Sequence, residues 1–272
     1  MIVDFHAHTR ESDGSLEPQA LVDMMTERGV EIFAITDHDS LGAFGRFEPP
    51  AGARVVTGVE INTTWRENEV HVLGYRLRLD DEIFDALIAD NRNSRLERTK
   101  RMVHNLRVAG YGITLEDVKR EADEGAALGR PHVGKALIRG GHFEDINAAF
   151  RGALVRGKPG YMPQTYITPA AAIEAIHHAG GVAVLAHPGR LKDEAIIDEL
   201  VGEGLDGLEV FYPRHDAEDV ERYRAVAAKH GLVMTAGSDF HDIRYNAGGV
   251  GMDVAEADIA PFLERVFAPH EV

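Results

Sequence analysis

The chain has no cysteine among its 272 residues, which excludes a disulfide framework and any thiolate-held metal. A bound cation would therefore have to be met by nitrogen and oxygen from His, Asp and Glu. No apolar run approaches the roughly 20 residues of a membrane helix, so no membrane partner is expected. Nor does Met1 lead into a basic segment followed by an apolar one; a strand-like Ile2-Val3-Asp4-Phe5 follows instead, and the cytoplasm is the expected location. Positive charge is also scarce: 29 Lys and Arg stand against 45 Asp and Glu, a net −16. Such a surface excludes general binding to a long nucleic-acid duplex. The shortage is uneven, because residues 92–158 carry 14 basic against 8 acidic residues, while the remainder carries 15 against 37. Internal repeats and low-complexity tracts are absent too.

What is present is alternation. Short runs rich in Val and Ile recur with amphipathic helix-length segments between them, the pattern of βα units around a parallel sheet. Seven strands are predicted, at 2–8, 31–37, 54–61, 69–77, 181–187, 206–212 and 232–238. Between the fourth and the fifth the pattern turns all-helical, with helices predicted at 80–109, 114–124, 131–140 and 144–153. The Gly- and Pro-rich stretch 157–163 reads as the loop returning to the strands. The expected architecture is one α/β barrel, residues 1–90 and 164–272, interrupted by a helical insertion at 91–163 that caps it.

Side chains two apart on a strand share a face, so His6 and His8 point the same way and could grip one ion. The pair alone says little. Other predicted strands, however, also carry such groups at or near their ends: His38, Glu60, His187, and Asp239 with His241, while His71 sits on the fourth strand and Asp13 in the first loop. In a parallel barrel the functional face is where strands end. Six imidazoles and three carboxylates would thus converge, and without cations they would repel one another or need individual partners. Imidazole with carboxylate suits Mn²⁺, Zn²⁺ or Fe²⁺ better than Ca²⁺ or Mg²⁺. Two such ions about 3.5–4 Å apart activate water and polarise a phosphoryl oxygen, so hydrolysis of a phosphate ester is the expected reaction.

The matching stretches are Asp4-Phe5-His6-Ala7-His8-Thr9 with Asp13-Gly14, Ile35-Thr36-Asp37-His38-Asp39, Gly58-Val59-Glu60, His71-Val72-Leu73-Gly74-Tyr75, Ala186-His187-Pro188 and Gly237-Ser238-Asp239-Phe240-His241. Together they resemble the polymerase and histidinol phosphatase (PHP) family. The resemblance implies a distorted (β/α)₇ TIM-like barrel with two or three divalent ions, Mn²⁺ in first place. It further implies one ion on His6, His8, Glu60 and Asp239, a second sharing Glu60 with His71 and His187, and a third on Asp13, His38 and His241. Those last three are the expected catalytic residues.

The insertion, with Asn91-Arg92-Asn93-Ser94-Arg95-Leu96-Glu97-Arg98 and Gly129-Arg130-Pro131-His132-Val133, resembles a branch acting on nucleotides. The implied reaction is removal of the 3′-phosphate from a nucleoside 3′,5′-bisphosphate to leave a 5′-nucleotide. Alternatives are 5′–3′ exonuclease action on short 5′-phosphorylated RNA, and histidinol phosphate hydrolysis. A second substrate phosphate needs cations beyond the metals. Arg130, His132 and Lys135 around Pro131 are the candidates, joined by Arg95, Arg214 and Ser15. Arg92, Arg95 and Arg98 lie three apart and form one basic helical stripe, for which a solvated face is the competing reading. Asp37 and Asp39 are placed to orient ligands. His104, His142, His177, His178, His230 and His270 are expected to be structural or solvent-facing.

Overall fold

The computed structural model describes every residue except 124, 164, 165, 245, 247 and 270–272, so His270 and the first residues of the predicted second barrel segment lie outside the described residues. Eight strands form one sheet: β1 (Ile2–Asp4), β2 (Ile32–Ile35), β3 (Arg54–Trp65), β4 (Asn68–Tyr75), β5 (Val182–Leu185), β6 (Gly207–Phe211), β7 (Val233–Ala236) and β8 (Met252–Asp253). Their order is β7-β6-β5-β4-β3-β2-β1-β8. The sheet nearly closes on itself. Beyond β1, Phe5 donates its N–H to the Ala236 carbonyl at 2.9 Å, and Ala7 pairs with Phe240 in parallel fashion. The result is a distorted α/β barrel. Among the described residues, no helix is long and apolar enough to cross a membrane.

Two expectations need correction. The sheet is not all parallel: β4 runs antiparallel to both β3 and β5. Strands β3 and β4 form a hairpin whose turn residues Arg66 and Glu67 have φ of 44° and 65°. Positive φ at both central positions is the tight hairpin turn that matches strand twist, and it leaves no room for a crossover helix. Arg and Glu occupy positions where Asn-Gly is the usual signal, so the turn was invisible in the sequence. An eighth strand was also unforeseen; β8 is two residues long and pairs antiparallel with β1, Ile2 opposite Asp253.

Helices α1 (Pro18–Glu27), α6 (Pro169–His178), α7 (Ala195–Gly202), α8 (Ala217–His230) and α9 (Glu256–Val266) accompany the strands. The main core joins strand residues such as Val3, Val72, Leu73 and Leu208 to Ile173, Ile176, Tyr223 and Phe262 from these helices. The insertion contributes α2 (Glu82–Val108), α3 (Leu115–Lys119), α4 (Arg130–Arg139), α5 (Ile146–Ala149) and a π-helical turn over Phe150–Leu154. Helix α3 stops five residues short of the predicted end. The chain turns there, and Asp123 is held by Arg10 at 2.8 Å. Helix α2 serves two cores: Phe84 and Ile88 pack with the barrel, whereas Met102, Val103 and Leu106 pack with Val118, Val133, Leu137 and Leu154 in a separate cluster.

Candidate metal centre

Four strands stop before the residues that matter, and β1 ends at Asp4, so His6 and His8 lie past it and not on the strand expected over 2–8. Regular pairing ends at Ile35 on β2, Leu185 on β5 and Ala236 on β7, and the backbone then turns sharply at Asp39, His187 and Asp239, whose φ values are 48°, 29° and 51°. Positive φ in such residues costs about 1–3 kcal/mol each and persists only where surroundings enforce it. One enforcing group is Asp4. Its buried carboxylate accepts N–H groups from His6, Ser238 and Gly251 and the Ser238 hydroxyl, at 2.7–3.2 Å, and so ties the exits of β1 and β7 together. Gly237 completes the junction, because a Cβ there would fall 2.2 Å from the His6 Cβ and 2.6 Å from a Glu209 oxygen.

Glu60 lies at the middle of the mouth. One carboxylate oxygen is 3.2 Å from Nε2 of His6, 3.2 Å from Nε2 of His8 and 3.0 Å from Nδ1 of His38. The other is 2.6 Å from Nδ1 of His71 and 3.2 Å from Nε2 of His187. Asp239 faces His6, His8 and His241 at 3.4–3.5 Å, and Asp13 lies 3.2 Å from Nε2 of His241. All nine side chains anticipated as ligands thus meet at one mouth. Glu60, Asn62 and His71 reach it together because Glu60 and Asn62 are two apart on β3 and His71 stands opposite Asn62 on β4.

These groups fit divalent cations. Nε2 of His6 and of His8, Oε2 of Glu60 and Oδ1 of Asp13 are buried without a hydrogen-bond partner, a costly arrangement unless a ligand engages them. Three sets have donor atoms within 4.8 Å of one another: His6, His8, Glu60 and Asp239; His38, Glu60 and His71; and His8, Asp13, His38 and His241. The grouping differs in detail from the one that the resemblance implies, since His38 joins Glu60 and His71, and His8 also reaches the Asp13 set. Burial prevails at His38 and His187, which are pushed down, while at other members the mutual attraction overcomes it. His8 is pushed up to about 10 against its burial, by Asp239 and Glu60, and His71 to about 9, mainly by Glu60. Asp13, Glu60 and Asp239 are held well below the usual carboxylate range, burial notwithstanding, by the surrounding imidazoles. Cations arriving here would replace protons.

Behind the cluster stands a supporting layer that sequence reasoning largely missed. Glu209 on β6 holds Nδ1 of His6 at 2.8 Å and accepts the His187 N–H at 2.7 Å. Its one signal was a lone charge inside the apolar strand Gly207–Phe211. Asn62 contacts Nδ1 of His38 at 3.1 Å and donates to Asp39 at 2.9 Å. Asp37 accepts from Thr9 and Ser12, fixing the first loop. Tyr212 donates its hydroxyl to Asp239 at 3.1 Å, and Arg190 lies 3.3 Å from the same carboxylate.

The anticipated substrate residues scatter. Arg130 lines the cavity over the cluster and pairs with Glu69 at 2.6 Å. Lys135 lines a wider neighbouring pocket and reaches the Asp13 carbonyl at 3.4 Å. Arg214 is exposed on that pocket's rim. Arg95 is buried, bonded to Asp39 at 3.1 Å and to the Leu128 carbonyl at 3.0 Å. His132 faces inward, its Nδ1 accepting the Gly129 N–H at 3.0 Å, and burial pushes it down to about 4. Neither it nor Ser15, whose N–H bonds the His241 carbonyl, lines the cavities over the centre. The stripe of Arg92, Arg95 and Arg98 is not a solvated face, since the latter two are buried. His177, His178 and His230 pair with Asp206, Asp81 and Asp198 away from the mouth, and His104 is exposed.

No family profile matches the chain. Individual relatives do. The 3′,5′-nucleoside bisphosphate phosphatase of Chromobacterium violaceum is 32% identical over 267 residues, covering 95% of this chain and 92% of that protein. The 5′-3′ exoribonuclease Rnm of Escherichia coli is 33% identical, with 89% and 85% covered. Among solved structures, an amidohydrolase from Chromobacterium violaceum with bound sulfate and no metal superposes with a TM-score of 0.87 at 30% identity, covering 97% and 95% of the two chains. A metal-dependent phosphoesterase from Bifidobacterium adolescentis gives 0.79 at 34% identity, covering 88% and 87%.

Proposed function

The chain belongs to the PHP family of metal-dependent phosphoesterases, and from that premise we propose that it removes the 3′-phosphate of nucleoside 3′,5′-bisphosphates, leaving a 5′-nucleotide and inorganic phosphate. The observation that carries this reading is the cavity above the cluster. It measures ≈ 180 Å³ and is lined by Asp13, His38, Glu60 and His71 of the cluster together with Arg98, Arg130 and Glu69, so candidate metal ligands and guanidinium groups share one space. A wider pocket of ≈ 320 Å³ adjoins it, lined by Phe150, Tyr212, Pro213 and Lys135, which suits a nucleoside with its flat base.

In this reading His6, His8, Asp13, His38, Glu60, His71, His187, Asp239 and His241 would hold two or three divalent ions, Mn²⁺ by the family resemblance, with Zn²⁺ and Fe²⁺ suited equally well to imidazole and carboxylate donors. When bound, the ions supply the attacking water and neutralise the phosphoryl oxygens. The net change would be replacement of the 3′-oxygen at phosphorus by a water oxygen, with the proton that water gives up ending on the departing sugar alcohol. Glu209, Asn62 and Asp39 keep the imidazoles in fixed orientations, which spares reorganisation during the reaction. Burial pushes the Tyr212 phenol up, so it remains a donor that orients Asp239. Arg130 and Lys135 draw the substrate's charge into the mouth, Arg214 guards its rim, Ser15 shapes the first loop beside His241, and Arg95 and His132 brace the wall. The basic insertion, residues 91–163, acts as the substrate cap, and the protein works in the cytoplasm.

A second opening, ≈ 240 Å³, leaves the centre on the other side past Trp65, Arg130 and Lys192. It favours exonuclease action on short RNA as the alternative, since a diester has a group on each side of phosphorus. Purified protein with Mn²⁺ is offered a nucleoside 3′,5′-bisphosphate, a 5′-mononucleotide, histidinol phosphate and a 5′-phosphorylated dinucleotide. The bisphosphate is expected to give the highest kcat/KM; a dinucleotide turned over ten times better would transfer the assignment to the exonuclease.

A further inference from the structure

The arginines near the centre differ in one respect. Arg95 pairs with Asp39, Arg130 with Glu69 and Arg190 with Asp239. Arg98, one turn beyond Arg95 on α2, pairs with no carboxylate among the described residues although it is only 8% exposed. Its Nε donates to the Met162 carbonyl at 3.1 Å, and Nη1 reaches the Tyr166 hydroxyl at 3.5 Å. Its Nη2 is buried with no hydrogen-bond partner among the described residues. A guanidinium cannot shed its proton to escape such a site, so it carries full charge and an idle donor into a place with little water. That side chain lines the ≈ 180 Å³ cavity over the cluster. Glu69, on the lining of the same cavity, attracts Arg98 without pairing with it, so an anion from outside can complete its neutralisation.

We propose that Arg98 receives the substrate's second anionic group, the phosphate that survives the reaction. This rests on the bisphosphate reading above. The phosphoryl group under attack belongs on the carboxylate and imidazole floor, whereas the other phosphate needs a cation not already neutralised, and Arg98 meets that condition. Its planar fork suits two phosphate oxygens, and the Tyr166 hydroxyl beside it can donate to a third. Because Arg98 is held from α2 and from the returning segment around Met162, recognition of the second phosphate also draws those two parts of the wall together.

The test compares wild type, Arg98→Met and Arg98→Lys, all loaded with Mn²⁺, on adenosine 3′,5′-bisphosphate and adenosine 3′-monophosphate. The ratio of the two kcat/KM values is expected to fall roughly 10- to 100-fold in Arg98→Met, as loss of charge-assisted bonds predicts, and less in Arg98→Lys. The change should lie in KM rather than kcat. Calorimetric titration with the product adenosine 5′-monophosphate should show the same loss, while adenosine binds both proteins alike. An unchanged ratio, or an equal loss on both substrates, overturns the proposal. Should Arg98→Met not fold, the Lys variant decides by the same ratio. If wild type cleaves only a 5′-phosphorylated dinucleotide, the bisphosphate reading fails, and the ratio measured on that dinucleotide with and without its 5′-phosphate still decides for or against Arg98.

Discussion

At the barrel mouth nine ionisable side chains crowd together, seven on backbone beyond the strand ends and Glu60 and His71 within β3 and β4, and three of its corners hold positive φ. The helical insertion above them is built otherwise. Its arginines project from α2 and α4, regular helices stabilised by their own cluster of Met102, Leu106, Val133 and Leu137. The floor concentrates buried charge whose geometry the whole barrel enforces, while the wall places longer, adaptable cations on a separately packed scaffold. On the function proposed above, such a division would let chemistry and substrate choice vary independently.

Substitutions on either side should therefore separate turnover from recognition. Glu60 touches five imidazoles, and Glu60→Gln is expected to lower kcat/KM on the order of 10³-fold or more with the circular-dichroism spectrum retained. Asp13→Asn and His241→Ala should behave alike; full activity in both would remove the floor from the chemistry. Glu209→Gln strikes the layer beneath. Loss of the carboxylate that orients His6 should weaken metal binding by about 10–100-fold, read by chelator competition. Unaltered affinity would mean that the floor does not depend on its support.

Two smaller effects sharpen the contrast. Leu106→Ala in the insertion core should destabilise by about 2–5 kcal/mol and raise KM while metal content, measured by elemental analysis, stays constant. Leu208→Ala on β6 should lower stability and metal content together. Equal metal loss in both would show one cooperative unit where two are drawn here. Outside both regions, the hydrogen bond to Asp206 raises His177, so its contribution is fully present below its unfolded pKa of about 6.5 and is lost as pH rises through the higher folded value. With the ring 40% exposed, His177→Gln should cost only a few tenths of a kcal/mol, visible in melting curves at pH 5.5 and absent at pH 8.5.

The barrel strands and the bulk of the insertion were legible because burial imposes periodicity: Val182–Leu185 and Gly207–Phe211 are buried along their whole length, and strands buried on both faces read as apolar runs. The hairpin at Arg66-Glu67 was not, since its residues give no turn signal. Glu209 drew no attention because a charge in a buried strand acquires meaning only when its partner, 203 residues away, is known.

Residue types and their places along the chain were enough to restrict candidate ligands to nitrogen and oxygen, to draw attention to the strand ends that bear most of them and to mark a basic stretch within an acidic chain. Those properties are local, and a linear string records them. Which arginine keeps its charge free was settled by folding alone: Arg95 and Arg98 are alike in sequence, yet Asp39 neutralises the first and no carboxylate among the described residues meets the second. Pairing depends on distances of a few ångströms between segments remote in the chain, and only packing assigns them.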